Sequence, residues 1–185
     1  MRYAALLRAI NVGGHIVKMK ELCAMFEAMR LSNVRSVIAS GNVLFETRSS
    51  DAAALETRIE TALRKALGYD VETFLRTPEE LDALAAHDPF AANDPVLDGH
   101  KVHVLFTRSA VTAAEKKQVL ALATPYDDFA VFGREIYWRT RGNFSDSTIT
   151  PAMFGRAFKR PTTARNVTTV RKLAEKLSPS RGQIP

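Results

Sequence analysis

Two passes of one hydrophobic pattern run along the chain. Tyr3 to Ile10 is apolar at every position but Arg8, which predicts a central strand covered on both faces or nearly so. From Lys18 to Leu31, Leu22, Met25, Phe26 and Met29 fall at i, i+3, i+4 and i+7, one stripe of an amphipathic helix. Val34 to Ala39 and Asn42 to Thr47 read as two strands joined by Ser40-Gly41, the length of a tight hairpin. Asp51 is placed as the N-cap of a helix reaching Leu67, with Leu55, Ile59, Leu63 and Leu67 spaced by four and Gly68 as its stop. Val71 to Leu75 predicts a further strand. Thr77-Pro78-Glu79-Glu80 then looks like a capping box with proline at the first helical position, opening a short helix to about Ala86.

His87 to Gly99 carries two prolines and Asp-Gly with little periodicity, so 91–99 is read as a link between a first half, 1–90, and a second, 100–185. The order then begins again. Lys101 to Thr107 predicts a strand, and Thr112-Ala113-Ala114-Glu115 a capping box opening a helix to about Ala123. Phe129 to Phe132 and Glu135 to Thr140 pair around Gly133-Arg134, where glycine in the first loop position suits a type II′ turn. Thr150-Pro151 opens a short helix to Lys159. A last helix covers 166–177, with Val167, Val170, Leu173, Ala174 and Leu177 on one face. The final strand of the second half has to be found around Thr162-Thr163-Ala164; the alternative is that this half lacks it. Each half thus follows most of a β-α-β-β-α-β unit. The expected fold is α+β: two tandem ferredoxin-like halves, repeated in pattern rather than in residue identity, with helices on one face of each sheet.

Charge sharpens this division. The 185 residues carry 26 Lys+Arg against 20 Asp+Glu, a net +6. Met1 to Gly99 holds 11 basic and 14 acidic residues, net −3, whereas His100 to Pro185 holds 15 and 6, net +9. Such asymmetry marks either an anion-facing surface or the docking of an acidic half on a basic one. The single cysteine, Cys23, sits beside an apolar helix stripe and fits a small core residue better than a nucleophile. The sequence has no apolar run of membrane-spanning length and its first apolar stretch is cut by Arg8, so the expectation is a cytoplasmic protein with no membrane contact.

Candidate chemistry is thin. Of the four histidines, His100 and His103 have an odd spacing that points them to opposite faces of a strand. No zinc, EF-hand, P-loop, dinucleotide or nucleophile-elbow motif is present, so no metal or cofactor is expected. Alternation on the second hairpin sets Ile136 and Trp138 on the face opposite Tyr137 and Arg139, leaving one aromatic at most for base stacking. Three polar loops remain. Asn11-Val12-Gly13-Gly14 is a strand-to-helix loop able to present N–H groups to an anion, or simply a turn needing positive φ. Ser40-Gly41-Asn42 is what a hairpin needs. Thr163 to Thr169 sets Arg165 beside Asn166 and two hydroxyls at a helix start, either an anion site or an N-cap with a surface arginine.

Leu7-Arg8-Ala9-Ile10-Asn11-Val12-Gly13-Gly14, Ala39-Ser40-Gly41-Asn42-Val43-Leu44-Phe45 and Thr163-Ala164-Arg165-Asn166-Val167-Thr168-Thr169-Val170, in this order and separation, resemble the bacterial family called domain of unknown function 1697. The resemblance runs from Tyr3 to about Leu177. The family usually shows glycine where Ala9 stands and Trp-Asn where Val167-Thr168 stand. The resemblance implies a cytoplasmic α+β protein of two related ferredoxin-like halves and no established activity, substrate or cofactor.

The leading expectation is a protein that binds an anionic ligand (nucleotide, phosphorylated metabolite or nucleic acid) through Arg8, Asn11, Gly13, Gly14, Ser40, Asn42, Arg165 and Asn166 in a cleft between the halves. The alternatives are a small-molecule enzyme at that cleft, with Ser40 or His15 moving a proton, or a structural module that dimerises through exposed sheet edges or faces. A monomer or a homodimer fits the sequence.

Overall fold

The protein is described by a computed structural model that covers residues 1–11, 14–38, 41–90 and 99–178. The link 91–99 therefore lies, except for Gly99, outside the described residues, as do Gly13 and Ser40. The chain forms two compact units, one of Met1–Ala85 together with the chain from Arg171, the other of Ala86–Val170.

The first unit runs β1 (Arg2–Leu7), α1 (Met19–Ala28), β2 (Ser32–Ser36), β3 (Asn42–Glu46), α2 (Ala52–Leu67), β4 (Thr73–Arg76) and α3 (Pro78–Ala86), whose last residue passes into the second unit. Its sheet has the order β2-β3-β1-β4, with every neighbouring pair antiparallel. The local signals act as written. Asp51 accepts from the Ala54 N–H at 3.0 Å to cap α2, and Gly68 ends it with φ 81°. Thr77 and Glu80 exchange hydrogen bonds of 2.9 and 3.3 Å, the reciprocal pair of a capping box. One sheet face carries Tyr3, Ala5, Leu7, Val43, Phe45 and Leu75 against Leu22, Phe26, Leu55, Ile59 and Leu63 of α1 and α2. Ala4, Leu6, Leu44 and Phe74, which alternate with them, are buried too, so the near-continuous apolar reading of β1 holds.

Strand limits move where the backbone turns left-handed. β1 stops at Leu7 rather than Ile10, and Ala9 has φ 58°. β2 lies two residues earlier than its apolar run, since Ile38, at φ 55°, cannot continue an extended strand. Its pairing with β3 also slips between Ser32 and Arg35.

The second unit runs β5 (Lys101–Phe106), α4 (Ala113–Leu120), β6 (Asp127–Phe132), β7 (Glu135–Thr140), a 3₁₀ turn (Phe144–Asp146), α5 (Pro151–Ala157) and β8 (Thr163–Asn166), and leads into α6 (Val167–Leu177). The sheet order β6-β7-β5-β8 repeats that of the first unit. The strand in question around Thr163 exists: β8 pairs antiparallel with β5, His103 opposite Asn166 and Phe106 opposite Thr163. Thr112 and Glu115 form the second capping box, and Thr150 caps α5 through the Met153 N–H. Trp138 packs with Phe129, Phe154 and Phe158 on the helix side, while Tyr137 and Arg139 on the opposite side are buried as well. All six residues of β7 are buried, which leaves this strand no open aromatic for a base.

Candidate functional site

The first two polar loops meet at one end of the first sheet. The Leu7 N–H donates to the Gly41 carbonyl at 2.8 Å. A Cβ on Gly41 would lie 2.7 Å from Ile10 Cγ2 and 3.3 Å from Leu7 Cβ, and its φ of 69° favours glycine. Glycine here permits close approach of two loops as well as the hairpin turn. Asn42 is fully buried; its Nδ2 donates to the Val37 carbonyl at 3.1 Å and its own carbonyl accepts from the Val37 N–H at 2.9 Å. It closes the hairpin.

Asn11 Oδ1 accepts from the Val17 N–H at 2.7 Å, folding the loop back on itself around Gly14, whose φ is 88°. A third loop, unremarked in the sequence, joins them: the Tyr69 hydroxyl donates to the Ile10 carbonyl at 2.8 Å, and the His15 ring stacks on Tyr69 at 3.9 Å. Arg8, about half exposed, is ion-paired with Glu72. The shallow depression beside it, about 310 Å³, is lined by Arg8, Ala9, Glu60, Asp70, Val71 and Glu72. Three carboxylates against one guanidinium make this a poor seat for an anion. Arg64 donates to Asp70 nearby, and that hydrogen bond holds the Asp70 carboxyl below its ordinary pKa.

The Thr163–Thr169 segment, the last of the three polar loops, lies in the second unit. Asn166 Oδ1 accepts from the Thr168 N–H at 2.9 Å and from the Thr168 hydroxyl at 2.8 Å, a local cap on α6. Arg165 does not stand free at the helix start. It lies on β8, about nine-tenths buried, and donates to Thr163 Oγ1 and to the Ala164 carbonyl, each at 2.8 Å. Burial pulls its pKa down to about 10.

Arg165 has a counterpart that the sequence reading passed over. Arg76, fully buried on β4, stands opposite Ala4 of β1 as Arg165 stands opposite Val104 of β5. Its Nη1 also donates to the preceding carbonyl, Leu75, at 2.7 Å. The available signal was short: Thr-x-x-Arg at 73–76 and again at 162–165.

Sequence reasoning also missed a basic groove within the first unit. Arg2 Nη1 donates to the Leu177 carbonyl at 3.0 Å, and Arg35 Nη2 donates to the carbonyl of Lys176. The acceptors are consecutive residues at the C-terminal end of α6, so two guanidinium groups from different strands are drawn side by side. Among the described residues no carboxylate stands within ion-pair distance of either. Each guanidinium has five N–H donors and spends one here. The groove encloses about 600 Å³, and Asn33, Glu46, Glu175, Lys176 and Ser178 also line it. Asn33 Nδ2 donates to Glu46 Oε2 at 2.8 Å, which orients that carboxylate without neutralising it.

The sequence profile of the family described as "Protein of unknown function (DUF1697)" matches residues 1–137. The chain belongs to the DUF1697 family. Among solved structures, it is similar to the conserved bacterial protein SP0830 from Streptococcus pneumoniae, at 27% identity and a TM-score of 0.71, over 95% of this chain and 97% of that one. No curated protein matches. Within this DUF1697 chain, no group of three or more metal-ligating side chains occurs among the described residues, and no helix there is long and apolar enough to cross a membrane.

Proposed function

We propose that this protein binds an anionic ligand, and that its primary contact is the Arg2–Arg35 pair in the first unit. The observation that carries the reading is the convergence of two guanidinium groups on adjacent carbonyls with no carboxylate of the described residues within ion-pair distance, Glu79 acting on Arg2 only at longer range. A helix C-terminus fixes their position but leaves most of their N–H donors for a phosphate or carboxylate, which accepts bidentate bonds from arginine. The loop end around Arg8 and Asn11 is the weaker seat, because Glu72 already neutralises Arg8 and Glu60 and Asp70 add negative charge.

Calorimetric titration with inorganic pyrophosphate tests the choice. Arg2→Ala and Arg35→Ala should each weaken binding by about tenfold or more, since a hydrogen bond to a charged group contributes about 1.5–3 kcal/mol. Arg8→Ala should bind as the parent does. Loss of binding in Arg8→Ala alone would move the site to the loop end, and no binding by the parent protein would end the anion reading.

A further inference from the structure

The groove does not end at Arg2 and Arg35. A second depression of about 550 Å³ shares Glu46 with it and is lined by Met1, Arg30, Ser32, Thr47 and Arg48. The register explains the continuity. Glu46 of β3 stands opposite Arg2 of β1 on one side and Ser32 of β2 on the other, and neighbouring strands lie about 4.8 Å apart. Arg30 is turned outward at a left-handed residue, φ 58°, just after α1. Among the described residues neither the Arg30 nor the Arg48 side chain has a carboxylate within ion-pair distance, and both residues are exposed.

Five cationic side chains therefore line the two depressions, Arg2, Arg30, Arg35, Arg48 and Lys176, against two carboxylates, Glu46 and Glu175. One tetrahedral phosphate is satisfied by two guanidinium groups, which leaves most of this charge unused. We propose that the ligand is a linear chain of phosphates, running from the Arg2–Arg35 pair across the end of β3 to Arg30 and Arg48. This rests on the anion reading above and adds the ligand's length. Among the described residues the only aromatic lining either depression is Phe45, which is buried in the core, so none of them offers a base platform beside the cations. Recognition is of the phosphate chain alone.

The test compares pyrophosphate with two chains of about eight phosphates, an oligothymidylate and an inorganic polyphosphate, on the full-length protein at several salt concentrations. Both chains should bind at least about thirtyfold more tightly than pyrophosphate. If about four phosphates are neutralised, log K should fall with log salt at a slope near −3, a loss of about sixtyfold between 50 and 200 mM. Arg30→Ala/Arg48→Ala should weaken the chains about tenfold and leave pyrophosphate binding and the melting temperature unchanged. Arg2→Ala/Arg35→Ala should weaken all three ligands. Polyphosphate binding without oligothymidylate binding would keep the proposal and assign the chain to a phosphoanhydride. Oligothymidylate binding alone would overturn it, because it would require base contacts. Chains no tighter than pyrophosphate, or an Arg30→Ala/Arg48→Ala protein that binds them normally, would overturn the chain proposal and leave the Arg2–Arg35 site standing. Failure of pyrophosphate and both chains alike would remove both.

Discussion

In the first unit the helix layer is built from α1 and α2, 10 and 16 residues long, laid over an aliphatic sheet face with Tyr3 and Phe45 at one end. In the second it is built from α4 and α5, only 8 and 7 residues, and the missing helical surface is replaced by a run of rings: Phe129, Trp138, Phe144, Phe154 and Phe158. A fully buried carboxylate anchors that cluster. Asp127 accepts from Trp138 Nε1 at 2.8 Å, from the Ser147 hydroxyl at 2.7 Å and from the Thr124 hydroxyl at 2.9 Å. The same strand order is thus held once by long amphipathic helices and once by aromatic packing around a satisfied polar hub. Topology constrains where strands lie far more tightly than it constrains what fills the space between layers.

The comparison also redistributes the charge. By chain halves the protein is −3 and +9, but by compact units each carries +3: 15 basic against 12 acidic residues in the first, 11 against 8 in the second. Half of the change comes from the chain from Arg171, four basic residues against one acidic, which groups with the first unit, and half from Asp88, Asp94 and Asp98, which group with the second. The basic groove takes Arg2 and Arg35 from Met1–Ala85, a stretch whose 11 basic and 11 acidic residues balance, and Lys176 from the other end of the chain.

The largest expected contrast is in core truncation. Trp138→Ala should cost about 3–5 kcal/mol, the range for removing a large buried aromatic, with extra loss from leaving Asp127 without its indole donor. Hydrogen exchange should report the loss in the second unit, while the amides of α1 and α2 keep their protection. Equal loss of protection in both units would mean that they unfold as one.

The two hairpin glycines sharpen the same contrast. Gly41→Ala meets both a left-handed φ and the Ile10 side chain, and should destabilise by about 2–4 kcal/mol. Gly133→Ala has a similar φ of 61°, but the nearest atom is Glu135 Oε2 at 3.9 Å, so it should cost only about 1 kcal/mol. Denaturant midpoints of the two variants would decide; equal costs would show that the Gly41–Ile10 contact carries no weight.

In the opposite direction, Ala9→Gly should stabilise by about 1 kcal/mol by relieving a left-handed alanine. A lower melting temperature for the variant would refute the strain.

The smallest effect is on pH dependence and belongs to the second unit. His103 lies among rings, 4.6 Å from Phe144, with its Nδ1 buried and unpartnered, and burial holds its pKa below the ordinary 6.5. The unfolded chain then binds the proton first, so stability should fall as pH drops below about 6.5 and level off below the folded pKa. In the first unit the equivalent place is taken by Tyr3, which does not titrate in this range and whose pKa burial raises further. His103→Phe should flatten the dependence of the midpoint between pH 7.5 and 5.5; an unchanged slope would assign it to other groups.

Much of the fold was legible because its signals are local. Asp51, Thr77-Glu80, Thr112-Glu115 and Thr150 cap helices through partners three residues away, and helix stripes and strand alternation repeat within two turns or a few residues. The candidate site was legible only in part. Leu7 to Gly14 and Gly41-Asn42 were picked out as loops, but what they bind is each other and the Tyr69 loop. Arg165 read as an exposed guanidinium, because nothing in Thr163-Ala164-Arg165 says which face of β8 is covered.

The sequence by itself determined the two passes of strand, helix, hairpin and helix, the caps that start the helices and the α+β class, since each depends on hydrogen bonds and side-chain periods spanning a few residues. Tertiary structure decided that β8 pairs with β5, that Gly41 must make room for Ile10, and that Arg2 and Arg35 meet at the end of α6. Those contacts join residues 175 and 141 positions apart. No local preference encodes them; they exist only once burial of the strand and helix faces has fixed which elements become neighbours.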